Sequence, residues 1–135
     1  NDVIPVSKEL GLGQVVFSPL AQGVLTGKYL PGEPFPSDSR AANENANSFL
    51  IGRETMRKDT LSAVQRVVQI AKDHGVSMAS LALAWCLRDH AVSSVIIGAT
   101  KISQIAENVK ACDITITSDT LAKIDAALSS TARPV

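Results

Sequence analysis

The sequence predicts an α/β fold, and more narrowly an incomplete parallel barrel. Three observations lead there. Two short runs rich in β-branched residues, Gln14–Phe17 and Ser94–Ile97, each end in a polar loop. Around them lie stretches with apolar residues at helical spacing, so strands and helices alternate as in α/β units. The third observation is an imbalance. Ser94–Ile97 shows no alternation, the pattern of a strand covered on both faces, yet only two convincing strands are present. A lone two-stranded parallel sheet leaves unpaired backbone groups along both edges. A closed eight-stranded barrel needs about 250 residues, and the chain has 135. The rest of the barrel is therefore expected upstream or in another chain.

Taken in order, Asp2–Leu10 reads as the end of a helix that Gly11 and Gly13 stop. Gln14–Phe17 follows as a strand, which Pro19 prevents from continuing. Residues 30–57 are the one long irregular stretch, with Pro31, Gly32, Pro34 and Pro36 and a cluster of Ser, Asp and Asn, and they read as a functional flap. Asp59 or Thr60 is expected to cap a helix with Leu61, Val64, Val68 and Ala71 inward and Gly75 at its end. Ser77 caps a second helix, apolar nearly all round from Met78 to Cys86 and so expected to be largely buried. After the second strand a helix runs from Ser103 to about Ala111, with Ile102, Ile105 and Val109 toward the core. Extended Ile114–Thr117 leads to a last helix capped by Ser118, with Leu121, Ile124 and Leu128 inward.

Bulk properties exclude several function classes. Apolar residues at 45% and charged residues at 19% fit a globular protein rather than a disordered one. Thirteen basic and thirteen acidic residues cancel, and no basic stripe interleaves with aromatics, so nucleic acid is not an expected partner. The longest apolar stretch, Met78–Leu87, is too short for membrane insertion. The N-terminal residues do not form a signal peptide, and the missing initiator Met suggests an excised or processed piece. Cys86 and Cys112 read as reduced, buried thiols of a cytoplasmic protein.

Two constellations bear chemistry. Gln104, Glu107 and Asn108 share one face of the helix that follows Gly98-Ala99-Thr100. A strand, a Gly turn with a hydroxyl and a helix N-terminus together suit a phosphate, and the carboxylate and amides suit an adenine. The alternative is a solvated helix face behind a turn. The second constellation is Ser18-Pro19-Leu20-Ala21-Gln22-Gly23 at a strand exit, followed by Lys28 and Arg40 on a flexible loop. Two such cations suit a pyrophosphate and a 2′-phosphate, although most loop cations are simply solvated.

The ordered series Phe17-Ser18-Pro19-Leu20-Ala21, Gly27-Lys28-Tyr29, Ser39-Arg40, Ala84-Trp85-Cys86-Leu87-Arg88 and Ile97-Gly98-Ala99-Thr100, with Gln104, Glu107 and Asn108 following, resembles the aldo-keto reductase family. The branch it is most similar to includes voltage-gated potassium channel β-subunits and bacterial reductases, and the resemblance covers about residues 3–128. It implies the C-terminal part of a TIM (β/α)8 barrel over residues 1–135: the end of helix 6, strand 7, a cofactor loop at 30–57, helices, strand 8, helix 8 and a C-terminal helix. It implies NADP(H) as cofactor. Ser18, Pro19, Leu20 and Gln22 would lie along the pyrophosphate and ribose, and Phe17 against the nicotinamide. Lys28 and Arg40 match the family's loop cations, Gly98, Thr100 and Gln104 its 2′-phosphate corner, and Glu107 and Asn108 its adenine contacts. Many members carry Lys and Arg where this chain has Ala99 and Gln104, which leaves Lys28 and Arg40 as the main cationic candidates.

The resemblance also implies hydride transfer to an aldehyde or ketone, a small-molecule carbonyl substrate reached through the full barrel, and a missing N-terminal barrel half as structural partner. A homo-oligomer is left open. The family's catalytic Asp, Tyr, Lys and His lie on strands before the Ser-Pro-Leu strand. None of Tyr29, His74 or His90 matches those positions, so no catalytic residue is assigned here. A second function is weighed beside the first, a non-catalytic nucleotide-sensing or interaction module like the channel β-subunits. Three other motifs fail. Gly23–Lys28 has three residues between its glycines, not four, and Tyr29 after the Lys, so it is no P-loop. Gly11-Leu12-Gly13 lacks a third glycine and precedes its strand. Cys86 and His90 lack further metal ligands nearby.

Overall fold

A computed structural model describes residues 3–50 and 54–129. Helix α1 (Val3–Glu9) leads to strand β1 (Gln14–Phe17). Helices α2 (Lys58–Asp73) and α3 (Met78–Leu87) precede strand β2 (Val92–Ile96), and helices α4 (Ile102–Val109) and α5 (Ser118–Leu128) close the described chain. The two strands pair in parallel, with Val16 opposite Val95 and Phe17 opposite Ile96. Two strands made parallel neighbours by an intervening crossover must leave the sheet at the same end, so both polar loops emerge together.

Gly11 ends α1 in the left-handed region at φ +66, while Gly13 acts differently. A side chain at Gly13 would run into Ser93, so this glycine admits the close approach of the second strand. β2 begins two residues earlier than the expected Ser94–Ile97, and it is not covered on both faces. Val16 and Val95 are half-buried, whereas Val15, Phe17 and Ile96 are exposed.

The core lies between α2, α3 and α5, where Leu61, Val64, Val67, Ala71, Met78, Leu81 and Ile124 are buried together. α2 ends as its sequence implies. Gly75 takes φ +68, its amide donates to Lys72 O at 2.9 Å and that of Val76 to Ala71 O at 3.1 Å, the paired bonds of a Schellman cap. Neither Asp59 nor Thr60 caps its start. The cap position is Arg57, without a side-chain bond, and Asp59 sits in the first turn, where its acceptor suits the helix dipole. Ser77 does cap α3, accepting from Ser80 N at 3.0 Å. Thr117 rather than Ser118 caps α5, accepting from Thr120 N at 3.2 Å.

Three further expectations of burial fail. Trp85 is 37% exposed, with the Arg88 guanidinium 3.6 Å from its ring centre, a cation–π contact that covers the ring without a core. Helix α4 turns its apolar face outward: Ile102 is 86% exposed and Ile105 and Val109 are exposed too. Its inner contact is polar instead. Ser80 Oγ donates to Glu107 O at 2.9 Å and to Glu107 Oε1 at 3.1 Å, which ties α4 to α3. Of the two thiols expected to be buried, Cys86 is half-buried and Cys112 is exposed.

Candidate functional site at the strand exits

β1 delivers Phe17, 79% exposed, to the rim of the sheet. The backbone then turns sharply, and Ser18, Ala21 and Gln22 all adopt positive φ (+54, +47 and +59). Such values are uncommon for residues with a Cβ, and they concentrate where surrounding contacts over-determine the backbone. Pro19 and Leu20 are half-buried, and Leu20 packs on Leu83, Ala84 and Ala111. Gln22 Nε2 donates to Ser18 Oγ at 3.0 Å, and Gln22 Oε1 accepts from the Arg40 guanidinium. Ser18, Gln22 and Arg40 thus form one polar chain across the exit of β1.

Arg40 comes from the long loop, and that loop is not the free flap its composition suggests. Tyr29 is 1% exposed, stacks edge-on against Phe35 with ring centres 5.8 Å apart, and accepts from Ala41 N at 3.4 Å. Gln65 Nε2 on α2 donates to Gly27 O at 2.9 Å. A short 3-10 turn, Arg40–Ala42, is capped by Ser39. A buried aromatic thus anchors the segment that carries the cation. Lys28 points back along this surface, its Nζ 5.4 Å from the Tyr29 ring centre and beside Gly23.

The exit of β2 carries the second constellation. Gln104 Oε1 accepts from Thr100 N at 2.7 Å, from Thr100 Oγ1 at 3.3 Å and from Lys101 N at 3.2 Å. Its side chain therefore reaches back over the helix start, as the third helical residue does in a capping box. Gly98 has no positive φ, and a Cβ there would meet nothing within 4 Å. The fold itself leaves this backbone bare.

The two exits are joined by a contact that the sequence does not announce. Lys101 Nζ lies 3.9 Å from Asp38 Oδ2, both side chains exposed. Asp38 sits two positions before Arg40, so the pair brings the Arg40 loop to the start of α4. Lys101 and Asp38 escaped the sequence reading because no local spacing links them. The one available signal was a Lys directly after Thr100.

Glu107 and Asn108 do not stand on an open face with Gln104. Glu107 is half-buried, and Lys110 Nζ donates to its Oε2 at 2.6 Å. Lys110, Ser77 and Ser80 hold its carboxyl below the usual range by hydrogen bonding. Asn108 is 7% exposed. The structure thus gathers Ser18, Gln22 and Arg40, keeps Thr100 with Gln104, and draws Glu107 and Asn108 inward. Three cations, Lys28, Arg40 and Lys101, lie around the exits, Lys101 facing the Asp38 carboxylate, so this end suits an anion that needs several partners. Burial pushes the Cys86 thiol pKa up, against the thiolate form, with Arg88 opposing.

A sequence model of the aldo/keto reductase family matches residues 1–129, nearly the whole chain. The chain belongs to the aldo/keto reductase family. Its relatives within that family carry different names. A probable voltage-gated potassium channel subunit beta of Oryza sativa subsp. japonica is 45% identical over 132 residues, covering 96% of this chain and 39% of the relative. The L-glyceraldehyde 3-phosphate reductase of Escherichia coli strain K12 is 40% identical over 116 residues, covering 85% and 33%. A putative channel subunit beta of Schizosaccharomyces pombe is 38% identical, covering 97% and 38%. This aldo/keto reductase chain therefore spans no more than about two fifths of the relatives it matches.

Among the described residues no helix is long and apolar enough to cross a membrane.

Proposed function

We propose that this chain is the nucleotide-binding arc of an aldo/keto reductase barrel, its last two strand–helix units, and that it binds NADPH for the reduction of an aldehyde or ketone. The observation that carries this reading is the convergence of two polar groups, Ser18–Gln22–Arg40 and Thr100–Gln104, at one end of a parallel strand pair. Parallel barrels bind their ligands at the C-terminal ends of their strands, which is the end where both groups lie.

Each group has a distinct task in this reading. Arg40 and Lys28 neutralise the phosphates, with Ser18 and Gln22 setting the rim beneath them. Gly98 lets the nucleotide approach the backbone closely, and Thr100 and Lys101 face the 2′-phosphate, which favours NADP over NAD. Glu107 accepts from the adenine amine. Asn108 joins it only if the buried amide turns outward, so the adenine contact leans on Glu107. Phe17 offers its bare ring as a wall for the nicotinamide. When bound, the cofactor supplies a hydride to the carbonyl carbon.

The proton donor and its partners belong, in this reading, to strands that precede β1 in the complete barrel. Two of this chain's titratable rings are committed elsewhere. The Tyr29 hydroxyl is buried against Ala41 N, and His74 Nε2 is paired with Thr120 Oγ1 at 3.0 Å. A fluorescence titration with NADPH tests the proposal on the barrel that contains this arc. Replacing Lys28 and Arg40 together by Ala is expected to weaken binding by at least about a hundred-fold, since each charge-assisted contact is worth roughly 1.5–3 kcal/mol. An unchanged affinity would defeat the assignment of both cations.

A further inference from the structure

We propose that Gln22 is a positioning residue that aims Arg40 at the nucleotide phosphates, which deepens the reading above and rests on it. A guanidinium on a surface loop has many rotamers, and holding it in one orientation ordinarily costs side-chain entropy at the moment of binding. Here that orientation is set in advance. The Gln22 amide is engaged at both ends: its nitrogen donates to Ser18 Oγ at 3.0 Å, and its oxygen accepts from Arg40. Arg40 uses one N–H in this bond, and the rest of its five-donor fork stays available to an anion.

The backbone shows how Gln22 comes to be there. Its φ of +59 and ψ of 27 lie in the left-handed region, where a residue with a long side chain is disfavoured and Gly is at ease. Ser18 and Ala21, at +54 and +47, share the condition, and Gly23 follows at +96. This run of left-handed residues folds Gln22 back toward Ser18, so the side chain crosses the exit of β1 instead of extending into solvent. Gly in place of Gln22 would relieve the backbone and abolish the relay. The loop end of the relay is equally fixed, because Ser39 caps the turn that carries Arg40 and Tyr29 anchors its next residue.

Two substitutions isolate the side chain. Gln22→Gly suits the left-handed backbone, and Gln22→Met keeps the length of the side chain while removing both hydrogen bonds. NADPH affinity is measured by fluorescence for each, alone and combined with Arg40→Ala, in the barrel that contains this arc. Both Gln22 variants are expected to weaken binding about three- to ten-fold with Arg40 present, and less than about two-fold with Arg40→Ala. That coupling is the signature of action through Arg40, and a merely structural role would weaken binding equally in both backgrounds. Equal losses in the two backgrounds, or no loss with Arg40 present, would overturn the positioning role while leaving Arg40 as a phosphate ligand. A silent Arg40→Ala would overturn the Arg40 assignment itself, and the role of Gln22 with it.

Discussion

Gly27 is the most severe test of how the Lys28–Tyr29 segment is seated. Its φ is +77, and a Cβ built there would lie 2.5 Å from Val68 Cγ2 on α2. Two costs add on Gly27→Ala. The left-handed backbone costs an alanine about 1 kcal/mol. Overpacking a neighbour costs about 1–3 kcal/mol, because Val68 is β-branched, is locked near one rotamer in a helix, and cannot swing away. The expected loss is about 2–4 kcal/mol. Gly75 supplies the control. Its φ is +68, yet a Cβ there would meet nothing within 4 Å, so Gly75→Ala pays the backbone cost alone, about 1 kcal/mol. Urea denaturation followed by circular dichroism reads both, and unchanged slopes license the comparison of midpoints. The clash with Val68 is refuted if Gly27→Ala costs no more than Gly75→Ala. Its functional echo is a weaker hold on Tyr29, because Gln65 bonds the carbonyls of both Gly27 and Tyr29.

Two further outcomes follow from the second exit. Gly98→Ala meets no atom within 4 Å and needs no unusual φ, so thermal stability should not move, while NADPH affinity should fall at least about five-fold if the nucleotide approaches that backbone; equal affinity would sink the close-approach role of Gly98. Glu107 has a lowered pKa in the folded chain, from hydrogen bonds with Lys110, Ser77 and Ser80. A depressed carboxylate stabilises the fold above its unfolded pKa and loses that contribution as pH falls through the folded value. The α3–α4 contact should therefore weaken as pH falls toward the lowered folded pKa of Glu107, and Glu107→Gln should flatten the acid limb of a stability–pH curve. An identical acid limb in the variant would show that the carboxylate does not secure α4.

Features that depend on a few neighbouring residues were legible in the sequence. Gly75 announced the end of α2 and Ser77 the start of α3, because a left-handed cap and a side-chain N-cap are local devices. The β-branched runs located both strands to within two residues. What failed depended on which surfaces meet. The spacing of Ile102, Ile105 and Val109 correctly describes one apolar helix face, but spacing does not say which face finds a partner, and α4 docks on α3 through Ser80 and Glu107 instead. Trp85 looked like core and proved to be covered by Arg88. Residues 30–57, of which 51–53 lie outside the described residues, looked like a flap because of their Pro and Gly and their cluster of Ser, Asp and Asn, yet one aromatic, Tyr29, anchors the turn that carries Arg40. In the candidate site, Ser18, Gln22 and Arg40 were individually recognisable. Their union across the exit of β1, and the Asp38–Lys101 pair that joins the exits, are long-range facts that no motif encodes.

The exposed apolar residues are themselves arranged in a way that bears on the proposed barrel. Nine of them fall on three surfaces: Val3, Val6 and Leu10 along or just past α1, Val15, Phe17 and Ile96 on the open face of the sheet, and Ile102, Ile105 and Val109 on α4. α2, packed in the middle, buries its apolar stripe. Apolar side chains grouped on one face and left bare commonly mark a face that takes a partner. An arc cut from a closed barrel would leave such surfaces on its two flanking helices and on its inner sheet face, because those are where the next strand–helix unit and the barrel interior belong. On that account the bareness of Phe17 is informative: with the inner face closed by further strands, its ring would stay uncovered only at the rim, next to Ser18, where a flat nicotinamide would complete the wall.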